Sequence, residues 1–175
     1  KVSIEDCLKE LQNLGWTVEQ DKDIPEVVYI DGHQGHLEKA KPVIEGHITF
    51  MDKASMLVAH VVDPQPGDRV LDCCAAPGGK SMHMASLMYN TGAIMSCDIY
   101  DHKLDLMNQN AERLGVSIVS TKLQDGRYLP DNWKEQFDRV LVDAPCSGLG
   151  ILQKKLDMRW RKTEDLLNEL PPLQL

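Results

Sequence analysis

Between Arg69 and Val142 the chain alternates short, almost wholly apolar segments with longer amphipathic ones, and this alternation restricts its fold more than any other feature. The apolar runs predict strands over residues 69–73, 93–97, 117–121 and 138–142. Helices are predicted over 80–89 and over 101–114, the second closed by Gly115, with a short polar connection before the last strand. Strands without polar alternation are buried on both faces, and parallel neighbours need crossovers long enough to hold a helix. The pattern therefore predicts an α/β unit with a parallel sheet covered on both sides. Upstream, Ala54, Leu57, Val58 and Val61 mark one apolar face of a further helix, followed by a turn over 64–68. Ligands of such sheets bind beyond the carboxyl ends of the strands.

The first 50 residues read differently. Ile4, Cys7, Leu8, Leu11 and Leu14 recur at helical spacing between a capping Ser3 and a terminating Gly15. Short strands are expected over 16–19 and 27–30, a loop over 31–36, and a hairpin over 43–50 turning at Glu45-Gly46. This suggests two domains, a small α+β module over 1–50 and the α/β unit over 51–175. A module of that size is near the limit for independent folding and is expected to pack on the larger unit.

Composition narrows the setting. Hydrophobic residues make up 42% and charged residues 26% of 175, which is ordinary for a globular chain. The longest apolar stretch, 56–62, is interrupted by His60 and far too short to span a bilayer. No signal peptide or membrane anchor is visible. Five cysteines without a C-x-x-C pair argue against structural zinc and point to a reducing, cytoplasmic setting with one reactive thiol at most. The net charge of −8 has the wrong sign for gripping nucleic acid over the whole surface. Lys1 and the abrupt apolar end at Leu175 suggest a fragment of a longer protein. The oligomeric state is left open.

Three carboxylates end or follow predicted strands: Asp72, Asp98 and Asp143, with Asp125 as a fourth. Each alone is explained by capping the next loop; a set on one rim points to a site. After Asp72 comes a run of small residues, Cys73 to Gly79, then Lys80 and Ser81 at a helix start. Glycines there let the backbone approach a ligand, and helix amides suit polar or anionic groups. A tight strand-to-helix turn explains the same residues without a ligand. A phosphate loop is a sharper alternative, since Gly79-Lys80-Ser81 fits its end, but its first glycine falls on Cys74. Asp98, placed to accept ribose hydroxyls, favours a nucleotide-containing cofactor over that loop. Cys146 follows Asp143 in a turn of small residues, where a substrate would arrive, although a lone cysteine is more often a buried hydrophobe.

Asp72, Cys74, Ala75, Ala76, Pro77, Gly78, Gly79 and Lys80, together with Asp143-Ala144-Pro145-Cys146-Ser147-Gly148, resemble the Sun/Fmu family of RNA cytosine-5 methyltransferases. The resemblance runs from about Phe50 to Trp160 and is nearest to the bacterial enzymes acting on small-subunit ribosomal RNA. It implies a Rossmann-like methyltransferase sheet, here truncated at its carboxyl end, behind a small RNA-contacting module. It also implies S-adenosylmethionine as cofactor, held by residues 74–80, Asp98, Asp125 and Asp143, with Lys80 near the base. No metal is expected, since neither the cysteines nor the histidines carry a ligand spacing.

Cytosine C5 is too weak a nucleophile to take a methyl group directly. A thiolate adding to C6 makes C5 an enamine-like nucleophile that takes the methyl group from the sulfonium, and loss of the C5 proton with elimination of the thiolate then releases the enzyme. Asp143 is placed to hydrogen-bond the N3/N4 edge of the base. From the residues alone Cys146 would be the attacking thiol. The resemblance assigns that role to a later Thr-Cys motif, absent from these 175 residues, and gives Cys146 the release step. The chain by itself is therefore expected to be inactive. A nucleoside-triphosphate hydrolase and a non-catalytic RNA-binding module are the other readings.

Smaller signals are weaker. His33, His36 and His47 read as solvated loop residues, and the eight methionines as core filler. Lys154, Lys155, Arg159, Arg161 and Lys162 around Trp160 form the one basic cluster, suited either to solvent or to an RNA backbone.

Overall fold

The computed structural model describes residues 2–32, 35–148 and 165–174. The amino-terminal part holds α1 (Ile4–Asn13), an antiparallel ribbon of β1 (Thr17–Gln20) and β2 (Val28–Asp31), a 3-10 turn at Leu37–Lys39, and the short α2 (Lys41–Ile44). Ser3 caps α1 as expected, its hydroxyl accepting from the Asp6 amide. The second part runs α3 (Lys53–Val62), β3 (Arg69–Asp72), α4 (Gly79–Leu87), β4 (Ala93–Asp98), α5 (Asp101–Leu114), β5 (Val119–Leu123), a 3-10 turn at Asp131–Trp133, and β6 (Arg139–Leu141). A last helix, α6, covers Asp165–Gln174.

The four strands β3 to β6 form one parallel sheet in the order β5-β4-β3-β6, with Val70 opposite Ile94 and Arg139, and Ile94 opposite Val119. The expected α/β architecture is thus present. Its strands lack polar alternation for a simple reason. Successive residues point to opposite faces, and both faces are covered. Val70 and Ile94 pack with Met84, Ala85, Met88 and Ala59 on one side. Leu71, Cys73 and Cys97 pack with Trp133 and Phe137 on the other. Among the described residues no helix is long and apolar enough to cross a membrane.

Two expectations fail. Residues 43–50 form no hairpin. Pro42 instead starts the short α2, and Gly46, at φ +71°, follows it in a left-handed turn. The reason lies on another element: the Arg113 guanidinium at the end of α5 donates to the carbonyls of Val43 (2.6 Å) and Ile48 (3.3 Å). That clamp replaces the cross-strand ladder a hairpin would need. The buried side of α3 also differs. Val58, Ala59 and Val62 face the core, while Leu57 and Val61, expected inside, are exposed beside β6. Helix α6 was not expected, because Pro171 and Pro172 lie within it. The basic cluster around Trp160, like His33, lies outside the described residues.

Candidate cofactor and catalytic site

The carboxyl ends of β3, β4, β5 and β6 form one rim, and the turn after β3 crosses it. Cys73 donates its amide to the Leu141 carbonyl (2.9 Å) and Ala75 to that of Cys97 (2.8 Å), so the turn is stitched to β6 on one side and β4 on the other. Ala76-Pro77 is a cis peptide. Gly78 then adopts φ +98°, where a Cβ would stand 2.9 Å from Met107 Cγ on α5. Only glycine combines that conformation with that approach. Helix α4 begins at the next residue, with its free amides at the rim.

Asp72 is 1% exposed. Its Oδ2 accepts from the Ser81 hydroxyl at 2.7 Å, and Ser96 in turn donates to Ser81 at 2.9 Å, while Oδ1 is buried without a partner. Burial raises its pKa from the ordinary 3.8 to about 6, with Ser81, the Cys74 amide and Lys80 opposing. Asp98 is buried at the end of β4 and accepts from the amides of Ala76 (3.3 Å) and Tyr100 (3.1 Å). Asp125, in the loop after β5, is gripped by Arg127 through three contacts of 2.6 to 3.1 Å, which hold its carboxyl down at about 2. Gly126 comes next and lies close against Cys73, where a Cβ would meet the Cys73 carbonyl oxygen at 3.2 Å. Lys80 and Asp143 form an ion pair of 2.6 Å across the rim, joining the start of α4 to the loop after β6.

These groups converge on Cys74. Its thiol is pushed above the usual range first by burial and then by Asp72, Asp98, Asp143 and Asp125. The structure therefore brings together every carboxylate singled out from the sequence. Cys7, Cys73 and Cys97 are buried, and burial pushes Cys73 up to about 11 and Cys97 to about 12. Cys146, in the loop after Asp143, is the exposed thiol. Pro145 in the same loop accepts from the Gln174 side-chain amide at 2.7 Å, so α6 braces it. The Ser81–Ser96 ladder and the Arg127 grip have no forecast in the sequence. Serines within a helix and a strand carry no spacing signal, and only the Asp125-Gly126-Arg127 turn offers a local one.

The rim fits a cofactor that presents hydroxyls and positive charge. Four carboxylates gather here, and the cations beside them, Lys80 on Asp143, Lys103 on Asp98 (3.8 Å) and Arg127 on Asp125, are each already ion-paired. That is a poor setting for a polyphosphate and a good one for a ribose diol and cationic groups. The exposed Ile99 and Tyr100, directly after Asp98, add apolar surface beside it.

Comparison with known proteins agrees with this geometry. The model of the family described as 16S rRNA methyltransferase RsmB/F matches residues 59–175. The probable ribosomal RNA small subunit methyltransferase B of Bacillus subtilis (strain 168) is 46% identical over 131 residues, covering 74% of this chain and 29% of the relative. This chain thus spans less than a third of that relative's length. The crystal structure of a methyltransferase homolog protein from Pyrococcus horikoshii matches with a TM-score of 0.80 at 30% identity, covering 90% of this chain and 51% of the other. That of NSun6 from Pyrococcus horikoshii with SFG matches with a TM-score of 0.62 at 35% identity, covering 70% and 33%. The fold is the Rossmann-like fold of methyltransferases. With the family model covering well over half of its length, the chain belongs to the 16S rRNA methyltransferase RsmB/F family.

Proposed function

We propose that this chain is the cofactor-binding part of an S-adenosylmethionine-dependent methyltransferase acting at C5 of a cytosine in small-subunit ribosomal RNA, in the cytoplasm. The observation that carries the reading is the rim itself, four carboxylates around the glycine turn with the cations beside them each already ion-paired. The bound cofactor would supply an electrophilic methyl group on a sulfonium. Residues 74–80 and the free amides of α4 would line its amino-acid end, Asp98 would accept from the ribose hydroxyls, and Asp125 would sit beside them. The SFG of the Pyrococcus horikoshii NSun6 structure, an analogue of S-adenosylmethionine, supports the choice of cofactor. The carboxylate rim disfavours the triphosphate alternative.

Asp143 would hold the base through its N3/N4 edge, with Lys80 orienting the carboxylate at 2.6 Å. Cys146 is exposed and close in sequence to Asp143, as its assigned part in releasing the methylated base requires. The amino-terminal module, residues 1–50, would contact RNA. The thiol that attacks C6 belongs to a Thr-Cys motif these 175 residues do not contain.

The test uses the longest polypeptide that the reading frame encodes, with labelled S-adenosylmethionine and 16S ribosomal RNA. Label at cytosine C5 is expected, and Cys146→Ala should leave protein and RNA covalently joined on a denaturing gel. Label on another base, or turnover abolished in Cys146→Ala without a trapped adduct, contradicts the assignment.

A further inference from the structure

Glu26, His60 and His83 are far apart in the sequence and meet at one point. Glu26 lies in the turn between β1 and β2, His60 on α3 and His83 on α4. Nε2 of His60 is 2.6 Å from Glu26 Oε1, and Nε2 of His83 is 2.9 Å from the same oxygen. The imidazoles meet edge to face with centroids 5.4 Å apart. All three potential ligand atoms lie within 4.8 Å of one another. None of the three belongs to the rim, and the proposed reaction leaves them unused.

We propose that Glu26, His60 and His83 form a binding site for a divalent transition-metal ion of the zinc class, which fastens the amino-terminal ribbon to the α3–α4 pair. Two imidazole nitrogens and a carboxylate suit zinc, whereas magnesium and calcium prefer sets of oxygens. At metal–ligand distances of about 2.0–2.1 Å, tetrahedral ligand atoms stand about 3.3 Å apart. The present 2.6 and 2.9 Å separations need open by less than an ångström to admit an ion. His83, 8% exposed, is the fixed point of the site. Glu26 sits in a turn, and the His60 side chain is 36% exposed, so both can adjust and water can reach a fourth position.

The protonation states also agree. Burial lowers the pKa of His83 and favours the neutral imidazole that a metal requires. Burial of Glu26 opposes its charge, but its own amide and the two imidazoles outweigh that and keep the carboxyl below its ordinary range. One feature weakens the site. Nδ1 of His83 is buried without a hydrogen-bond partner. Loss of such an outer partner lowers metal affinity about 10–100-fold, so this site is expected to bind its ion more weakly than a fully supported one.

Zinc and cobalt(II) titrations of the purified protein, beside His60→Ala and Glu26→Gln, test the proposal. The expected result is one equivalent of zinc bound at micromolar concentration, weakened at least tenfold in both variants. Cobalt should give the visible bands of a tetrahedral nitrogen and oxygen site. Zinc should raise the thermal unfolding midpoint of the wild type and leave that of His60→Ala unmoved. His60 is partly exposed, so its replacement leaves the core intact, and circular dichroism checks this. Equal zinc affinity in His60→Ala, a cobalt spectrum dominated by sulfur charge transfer, or no binding at micromolar zinc would overturn the proposal. The trio would then be a hydrogen-bonded clamp only.

Discussion

Asp72 and Asp125 stand on the same rim and respond to pH in opposite directions. Asp72 has a folded pKa of about 6 against an ordinary 3.8, so the folded state holds its proton more tightly than the unfolded state. Stability from this group is complete below about pH 3.8 and declines as pH rises to about 6. At about 1.4 kcal/mol per pH unit the decline is about 3 kcal/mol, a figure its nearly complete burial allows. Asp72→Asn keeps an acceptor for Ser81 and removes the titration. Urea unfolding should therefore show the variant gaining up to about 3 kcal/mol on the wild type between pH 4 and pH 7. Parallel profiles would contradict the burial argument. Asp125 runs the other way: its folded pKa is depressed by Arg127, so its contribution is present above about pH 3.8 and lost toward pH 2. The four carboxylates were legible in the sequence because strand ends on a parallel sheet share one rim. How each is held was not, since Ser81, Ser96 and the Ala76 amide reach their partners only in the folded chain.

At the scale of elements, the joint between the two parts of the chain depends on one close approach. A Cβ at Gly46 would lie 2.0 Å from the Arg113 carbonyl oxygen, at a φ of +71° that side chains rarely adopt. Gly46→Ala should destabilise the protein by more than about 1 kcal/mol, measured by urea unfolding, because α2 must move away from α5. An unchanged midpoint would show that the contact yields freely. The same joint explains what the sequence could not disclose. Helix α5 and the sheet strands are written in their own periodicity and were read to within two residues. The 43–50 segment is shaped by Arg113, and the buried side of α3 by its position against β6, so neither follows from local pattern. The division into a module over 1–50 and a domain over 51–175 rests on the separate sheets. We propose it on that ground, and limited proteolysis should cut first near residue 50 if it is right.

At the scale of the whole molecule, the sheet of the described residues ends in two edge strands, β5 and β6, and the β6 edge has apolar surroundings. Among the described residues β6 pairs only with β3, and Val140 is 53% exposed. Val61 on the adjacent α3 is 85% exposed, and with Leu57 and Val140 it forms a contiguous apolar strip. Edge strands with apolar surroundings invite association. Light scattering should show a mass that rises with concentration, and Val61→Lys combined with Val140→Lys should return the protein to monomer. A wild type monomeric throughout would show that the strip is protected.

Cofactor recognition at the rim is the claim on which the proposed chemistry depends. Calorimetric titration with S-adenosylhomocysteine, the demethylated product, tests it most directly. We predict one site in the wild type and an affinity weaker by about 1.5–3 kcal/mol in Asp98→Ala, the worth of a hydrogen bond to a charged group. No binding, equal affinity in Asp98→Ala, or preferential binding of magnesium-ATP would contradict the account.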